Sequence, residues 1–210
     1  MPDWNVLLVF VFAVVAISLT PGPDMLFVVA NAVGRGAKAG VLSAVGISTA
    51  MLVHTTGAAL GLSYLFARSA WAFEVVRYAG AAYLVWLGLR AIMRAGFDQD
   101  GQEDGEVQAG SILRRGFLTN LLNPKVIVFF AAFLPQFVSA QDGPVFLQFL
   151  FLGALFTVLG LVIDSGIALA TGGTRNMFVR SPAAARLLER ISGAVFIGLG
   201  VRLLFVRPSA

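Results

Sequence analysis

The chain has 210 residues, of which 58% are hydrophobic and 12% charged, and its mean hydropathy is +0.86. Soluble domains carry roughly 25% charged residues, so this composition predicts an integral membrane protein without a large soluble domain. The net charge of +4 does not predict a nucleic-acid partner, because no Lys/Arg cluster with interleaved aromatics occurs. The sequence contains no Cys, which excludes disulfides and thiolate metal sites. We expect no cofactor and no metal.

The first apolar run, Val6 to Val33, is interrupted by Thr20, Pro21, Gly22, Pro23 and Asp24. Pro lacks an amide donor and Gly costs backbone entropy, so a helix cannot continue through this stretch. We expect one helix to end near Leu19 and the next to begin with Thr20 as N-cap and Pro21 at its first position. Asp24 would lie in the first turn of the second helix, beside its positive dipole end. A broken helix persists in lipid only where protein or water surrounds it, which makes this stretch a candidate site.

Five more apolar stretches follow, at about residues 40–65, 73–93, 116–138, 145–170 and 191–206. Each is long enough, or nearly so, for a membrane span of about 20 residues. The stretch at 40–65 is rich in small residues, which let backbones approach closely, so we expect it to pack on other helices or on a second copy in a homodimer. The stretch at 116–138 is interrupted by Asn123, Pro124 and Lys125.

The two halves of the chain share one design, in which the first span is broken by proline. Aligning Pro23 with Pro124 places Asp24 opposite Lys125. Because three spans per half is an odd number, a repeated half must be inverted in the membrane, as in many secondary transporters. The sequence therefore predicts an all-α integral membrane protein of six transmembrane helices, built as two inverted three-helix repeats with helices 1 and 4 broken. Residues 1–94 form the first repeat, 95–110 an acidic mobile linker, and 111–210 the second repeat.

The distribution of basic residues predicts the orientation, because cytoplasmic loops carry an excess of Lys and Arg. With the N-terminus outside, the inner loops hold ten basic residues, namely Arg35, Lys38, Arg90, Arg94, Arg114, Arg115, Arg175, Arg180, Arg186 and Arg190. The outer segments hold four, namely Arg68, Arg77, Arg202 and Arg207. This asymmetry predicts that both termini lie outside the cytoplasm.

Ionisable side chains within spans are costly and therefore are functional candidates. Asp24, Lys125 and Asp164 are the charged candidates, and His54 and Asn31 are additional polar ones. Structural interpretations stand beside the functional ones. Asp24 could cap a helix, Lys125 could extend toward an interface or pair with Asp164, and His54 could be a hydrogen-bonded packing residue.

Three motifs together resemble the LysE/RhtB family of amino-acid exporters over nearly the whole chain. They are the stretch from Thr20 to Asp24, the stretch from Asn123 to Lys125, and Asp164 followed by Ser165. The resemblance implies a multi-pass protein of the bacterial inner membrane that exports amino acids or their derivatives, by proton antiport. Substrates across the family include lysine, arginine, threonine, homoserine and its lactone, leucine and cysteine.

A zwitterionic substrate suggests how the candidate residues would act. The half-helix N-termini at Pro21, Gly22 and Pro23 and at Asn123 and Pro124, together with Lys125, could hold the carboxylate. Asp24 or Asp164 could hold the ammonium, and the other carboxylate could carry the coupling proton. A divalent-cation exporter of a related family is the alternative, although the site is poor in soft ligands. An intramembrane enzyme is disfavoured because His54 has no Ser or Asp at a fixed spacing, and a scaffold would not need paired broken helices.

Overall fold

The computed structural model describes residues 3–62, 70–93 and 108–173, together with positions 190, 194, 197, 198, 200 and 201. Within these residues the chain is helical and contains no strand. Seven α-helices follow one another along the chain: α1 (Trp4–Leu19), α2 (Pro23–Arg35), α3 (Ala37–Gly57), α4 (Ala70–Met93), α5 (Ala109–Leu121), α6 (Pro124–Val128) and α7 (Val145–Gly173).

Both predicted helix breaks are confirmed. Helices α1 and α2 meet at an angle of 56°, and α5 and the helical segment that begins with α6 meet at 49°. After α6, the backbone passes through a π-helical turn (Phe129–Phe133) and a 3-10 turn (Leu134–Phe137). The proline-containing motifs therefore divide two membrane-length segments into half-helices, as local backbone chemistry requires.

The second half-helix of the first span begins two residues later than the sequence predicts. Gly22 is the N-cap of α2 and Pro23 its first residue, so the assignment of Thr20 as N-cap and Pro21 as first residue is wrong. Thr20 instead closes α1, because its backbone N–H donates to Ile17 O and its hydroxyl to Ala16 O. A residue before proline avoids the helical region, and Gly22, which precedes Pro23, is accordingly extended with φ −171°.

Helix α3 is the packing centre of the described structure, with its most extensive contacts to α7 and α5. A Cβ on Gly46 would collide with the backbone of Leu113 in α5, and one on Gly153 in α7 would collide with Thr55. A Cβ on Gly40 would likewise collide with the Cβ atoms of Ala168 in α7 and Ala32 in α2. The small residues of this span thus let helix backbones touch, which confirms the packing prediction.

Phenylalanine side chains fill the interior beside the second break. Phe10, Phe129, Phe133 and Phe156 are at most 2% exposed. The ring of Phe129 lies 4.7 Å from that of Phe156 and 5.0 Å from that of Phe133, measured between centroids. Such aromatic contacts add stability beyond area burial, so the half-helices are fixed on one side by a packed aromatic cluster.

Among the described residues, two helices are long and apolar enough to span a membrane, and the number rises to four if each bent helix pair counts as one span. The four candidates are residues Ala37–Leu62, Val145–Gly172 and the two bent helix pairs. Helix α4 occupies the position of the predicted third span. Most of the predicted sixth span and nearly all of the acidic linker lie outside the described residues, so the six-span inverted repeat remains a prediction.

Candidate functional site

Lys125 lies one residue beyond Pro124, in the first turn of α6, and its side chain turns toward the first break. Its Nζ donates to Ile17 O at 3.0 Å and to Thr20 O at 3.2 Å. Ile17 lies in the last turn of α1 and Thr20 is its C-cap, so both carbonyls stand at the helix end, where regular intrahelical donors run out. Ile17 O also accepts from the backbone N–H of Thr20. The side chain is 7% exposed and so does not extend to an interface. Lys125 therefore caps the C-terminal end of the opposite broken helix.

Asp24 lies in the first turn of α2, and its side chain contacts the second broken helix, just as Lys125 contacts the first. Its Oδ2 accepts hydrogen bonds from Asn120 Nδ2 at 2.9 Å and from Asn123 Nδ2 at 2.8 Å. Both amides lie at the end of α5 or just beyond it, on the second broken helix. The carboxylate is 6% exposed, and its Oδ1 has no hydrogen-bond partner among the described residues.

Asn123 links the two contacts because its side chain forms hydrogen bonds with both Asp24 and Lys125. Its side-chain Oδ1 accepts from the backbone N–H of Lys125 at 3.1 Å, which makes it the N-cap of α6. Its Nδ2 donates to Asp24. Pro124 occupies the first helical position, where its missing N–H leaves no hydrogen bond unmade. The motif from Asn123 to Lys125 therefore begins a half-helix and fixes the carboxylate of the other half.

Asp164 reaches the same place from α7. Together with Asp24 and Lys125 it lines a cavity of about 20 Å³, whose apolar wall includes Met51, Val126 and Phe156. Asp164 is 5% exposed and makes no hydrogen bond or ion pair with any residue that the structure describes. The three charged candidates of the sequence are thus brought together at one cavity.

Gly22 permits the approach of Lys125 to the first break. A Cβ at this position would lie 3.2 Å from Lys125 Nζ and 3.6 Å from its Cε. The backbone at Gly22 is extended and would accept any side chain, so the requirement for glycine is one of space. Between the two prolines that define the break, Gly22 keeps room for the ammonium group of Lys125.

The other polar candidates lie outside the cavity wall. His54 stacks on Phe130 with 5.6 Å between ring centroids, and its Nε2 is 3.4 Å from Asn120 O. Asn31 donates to Phe27 O and accepts from Arg35, so it belongs to the last turns of α2. His54 thus matches the packing interpretation.

Asn120 is a candidate site residue that is missing from the sequence-based prediction. It is fully buried and contacts Asp24 through its amide nitrogen and His54 through its backbone oxygen. A signal was available in the sequence, because Asn120 is a second amide only three positions before the Asn123 of the proline motif. Its neighbours are ordinary apolar span residues, so the amide alone did not indicate a role.

The arrangement places two carboxylates and one ammonium group where little water reaches them. In such surroundings charges interact more strongly than in water. The cavity itself accommodates about one water molecule, so an amino acid would enter only if the half-helices moved apart. Chemically, the site offers acceptors for a cationic group and a buried cation for an anionic one.

Comparison with known proteins places the chain in a family. The family model of the LysE type translocator matches residues 15–207. The chain is 32% identical over 191 residues to the homoserine/homoserine lactone efflux protein of Salmonella typhimurium, covering 91% of this chain and 92% of that protein. It is 31% identical over 197 residues to the leucine efflux protein of Klebsiella pneumoniae, covering 93% of each.

A third relative is an uncharacterized membrane protein of Vibrio cholerae, 30% identical over 203 residues, with 96% of this chain and 97% of that protein covered. No solved structure matches the chain. The family match spans both helix breaks and Asp164. With its apolar helices, the chain is a membrane protein that belongs to the LysE-type translocator family.

Proposed function

We propose that this protein exports amino acids or amino-acid derivatives across the bacterial inner membrane in exchange for protons. The observation that carries the proposal is the shared cavity of Asp24, Lys125 and Asp164, placed where two broken helices meet. Relatives named for homoserine and leucine efflux support the substrate class. Membership in a translocator family makes the protein a transporter and not an enzyme.

The geometry supports a specific division of labour. Asp24 and Asp164 are carboxylates on different helices, so one can bind the substrate's ammonium group while the other carries the coupling proton. Lys125 has one N–H beyond the two that it donates to Ile17 O and Thr20 O. That remaining N–H would bind the substrate's carboxylate. The backbone N–H groups at the start of the half-helix at Pro124 are not available for this, because those of Lys125, Val126 and Ile127 already donate to Asn123.

The architecture that we propose is the inverted repeat of the sequence analysis, with six spans and both termini in the periplasm. Support comes from the reciprocal contacts of the two breaks. The first-turn residue Asp24 reaches the end of α5, and the equivalent first-turn residue Lys125 reaches the end of α1. In two inverted copies of one unit, the first-turn residue of each broken helix would contact the broken helix of the other copy.

The alternative of a divalent-cation exporter is not favoured. Hard or borderline cations need several carboxylate or imidazole ligands at one place. The described residues contain no group of three or more His, Asp or Glu that could hold a metal ion. Asp24 also already uses one oxygen for two amide donors.

The proposal is tested by flux from proteoliposomes loaded with labelled leucine, homoserine, threonine, lysine or arginine, or with Mn²⁺. We expect efflux of at least one amino acid, accelerated by an acidic exterior and no longer accelerated once an ionophore collapses the pH gradient. Asp24→Asn should abolish the acceleration, whereas Asp3→Asn, a change at an exposed carboxylate outside the site, should preserve it. Flux of Mn²⁺ alone would support the alternative, and amino-acid flux indifferent to the gradient would remove proton antiport.

A further inference from the structure

The Asp24 carboxylate is held by one oxygen only. Oδ2 accepts from Asn120 and Asn123, whereas Oδ1 is buried and accepts no hydrogen bond from any described residue. A buried acceptor without a donor has lost its hydrogen bonds to water and gained none in return, which destabilises the folded state. A carboxylate that served only to join two helices would gain from a donor on its second oxygen.

Asn120 presents a second acceptor of the same kind. Its Nδ2 is used by Asp24, and its Oδ1 is buried without a partner among the described residues. The amide cannot turn over, because an ionised carboxylate has no proton to donate and requires the nitrogen to face it. Two hydrogen-bonded side chains at the two breaks therefore each keep one unmatched oxygen.

The neighbouring cation does not supply the missing donor. Lys125 directs its Nζ at Ile17 O and Thr20 O, and no hydrogen bond or ion pair joins it to Asp24. Asn123 differs from Asn120 in this respect, because its Oδ1 already accepts from the backbone N–H of Lys125. Of the two amides that hold Asp24, only Asn120 has an oxygen left for another group.

We propose that the missing donor is the primary ammonium group of the substrate, bound jointly by Asp24 Oδ1 and Asn120 Oδ1. This inference rests on the proposed function. A primary ammonium group has three N–H donors, which suffice for two acceptors, whereas an N,N-dimethylated one has a single N–H. Asn120 is then a substrate-binding residue that selects for an unmodified amine, and Asn123 is a positioning residue that orients Asp24.

The test is a cycle that pairs a change in the protein with a change in the substrate. KM is measured in proteoliposomes for L-leucine and for N,N-dimethyl-L-leucine, or for the same pair built on whichever panel amino acid gives the parent its lowest KM. In the parent, dimethylation should raise KM about tenfold or more, as loss of a hydrogen bond to a charged group implies. In Asn120→Ala the unmodified amino acid should itself bind about tenfold more weakly, and dimethylation should add less than about threefold.

Asn123→Ala is the matched control. Like Asn120→Ala it removes one donor from Asp24 Oδ2, but it removes no free acceptor. It should therefore raise KM for both compounds and keep the full dimethylation penalty. A structural role for Asn120 would make the two variants behave alike, and that result would overturn the proposal.

A measurement on the parent protein keeps the test decisive if Asn120→Ala fails to insert. Equal KM for the unmodified and dimethylated compounds in the parent would overturn the proposal without any variant, and Asn120→Ser provides a smaller polar replacement. If the parent exports leucine or another panel amino acid but the cycle shows no coupling, this inference fails and the proposed function stands. If the parent exports no amino acid, both fail.

Discussion

Asp24 and Lys125 follow the first and second helix breaks at equivalent positions, and each makes its hydrogen bonds to the broken helix of the other. Asp24 binds the side chains of Asn120 and Asn123, and Lys125 binds the carbonyls of Ile17 and Thr20. Neither residue satisfies the other's charge directly. In the proposed function, both charges are therefore available to a zwitterionic substrate, whose two ends need opposite partners.

Lys125 and Asp164 should behave as independent residues and not as an ion pair. Lys125→Met leaves Thr20 O without its donor and leaves Ile17 O with only the hydrogen bond from Thr20 N–H. We therefore expect a loss of stability of about 1–3 kcal/mol and no coupled efflux. Asp164→Asn removes no described partner, so it should insert and remain as stable as the parent while losing coupled efflux. Thermal unfolding in detergent and proteoliposome flux measure the two effects.

The double variant Lys125→Met, Asp164→Asn decides between these interpretations. We expect the stability of Lys125→Met and no return of efflux. Breaking a buried ion pair costs roughly 3–5 kcal/mol, most of which returns when both partners are removed. Full recovery of stability and flux in the double variant would mean that the two residues pair in the working protein.

Gly22→Ala should impair transport without unfolding the protein. The added methyl group would lie 3.2 Å from Lys125 Nζ, so the flexible ammonium end must move away from Ile17 O or Thr20 O. We expect several-fold slower efflux at near-parental Tm. Gly166→Ala is the control, because nothing lies within 4 Å of its added methyl group and alanine in a helix is favoured over glycine by about 0.5–1 kcal/mol. Equal flux in the two variants would contradict a role for the Lys125 contact.

Gly46→Ala should destabilise the fold strongly. Its Cβ would meet the backbone of Leu113 in α5, which cannot move aside as a side chain can. Overpacking of this kind costs typically 1–3 kcal/mol, and we expect a lowered Tm in detergent. Gly57→Ala, in the same helix with open space around the added methyl group, should leave Tm unchanged or slightly raised. A parental Tm for Gly46→Ala would show that α3 and α5 can separate at little cost.

The orientation of the chain is tested with reporter fusions after Ala210 and within the acidic stretch Asp98–Glu106. The ten-to-four asymmetry of basic residues predicts a periplasmic C-terminus and a cytoplasmic acidic stretch. An alkaline phosphatase fusion should be active at the first position and inactive at the second. The reverse pattern would invert the topology, and the same activity at both positions would contradict an odd number of spans in the second half.

The helix breaks could be predicted from sequence because proline acts locally. The missing amide of Pro23 or Pro124 interrupts a helix in any surroundings, and the bends are found at both motifs. The sequence-based prediction places the first residue of α2 two positions too early, because both Pro21 and Pro23 are suited to the first helical position. The restriction that Pro23 imposes on Gly22 decides between them.

The partners of the charged residues could not be predicted in the same way. Lys125 binds backbone carbonyls, which every residue possesses and which therefore leave no mark in the sequence. Asn120 is an amide in an apolar helix, and its importance depends on a carboxylate 96 positions away. Local chemistry indicated which residues were unusual, whereas long-range geometry determined what each one binds.

The glycine contacts of α3 indicate that the two halves of the sequence are not the units that would move as rigid bodies. α3 belongs to the first half, yet Gly46, Gly153 and Gly172 bring its backbone or side chains against α5 and α7 of the second. We expect helices packed this closely to move as one rigid unit. A hinge would then lie between the unit of α3, α5 and α7 and the remaining helices. Cutting the chain within residues 95–110 would therefore separate the two halves covalently but would leave the packing of α3 against α5 and α7 in place.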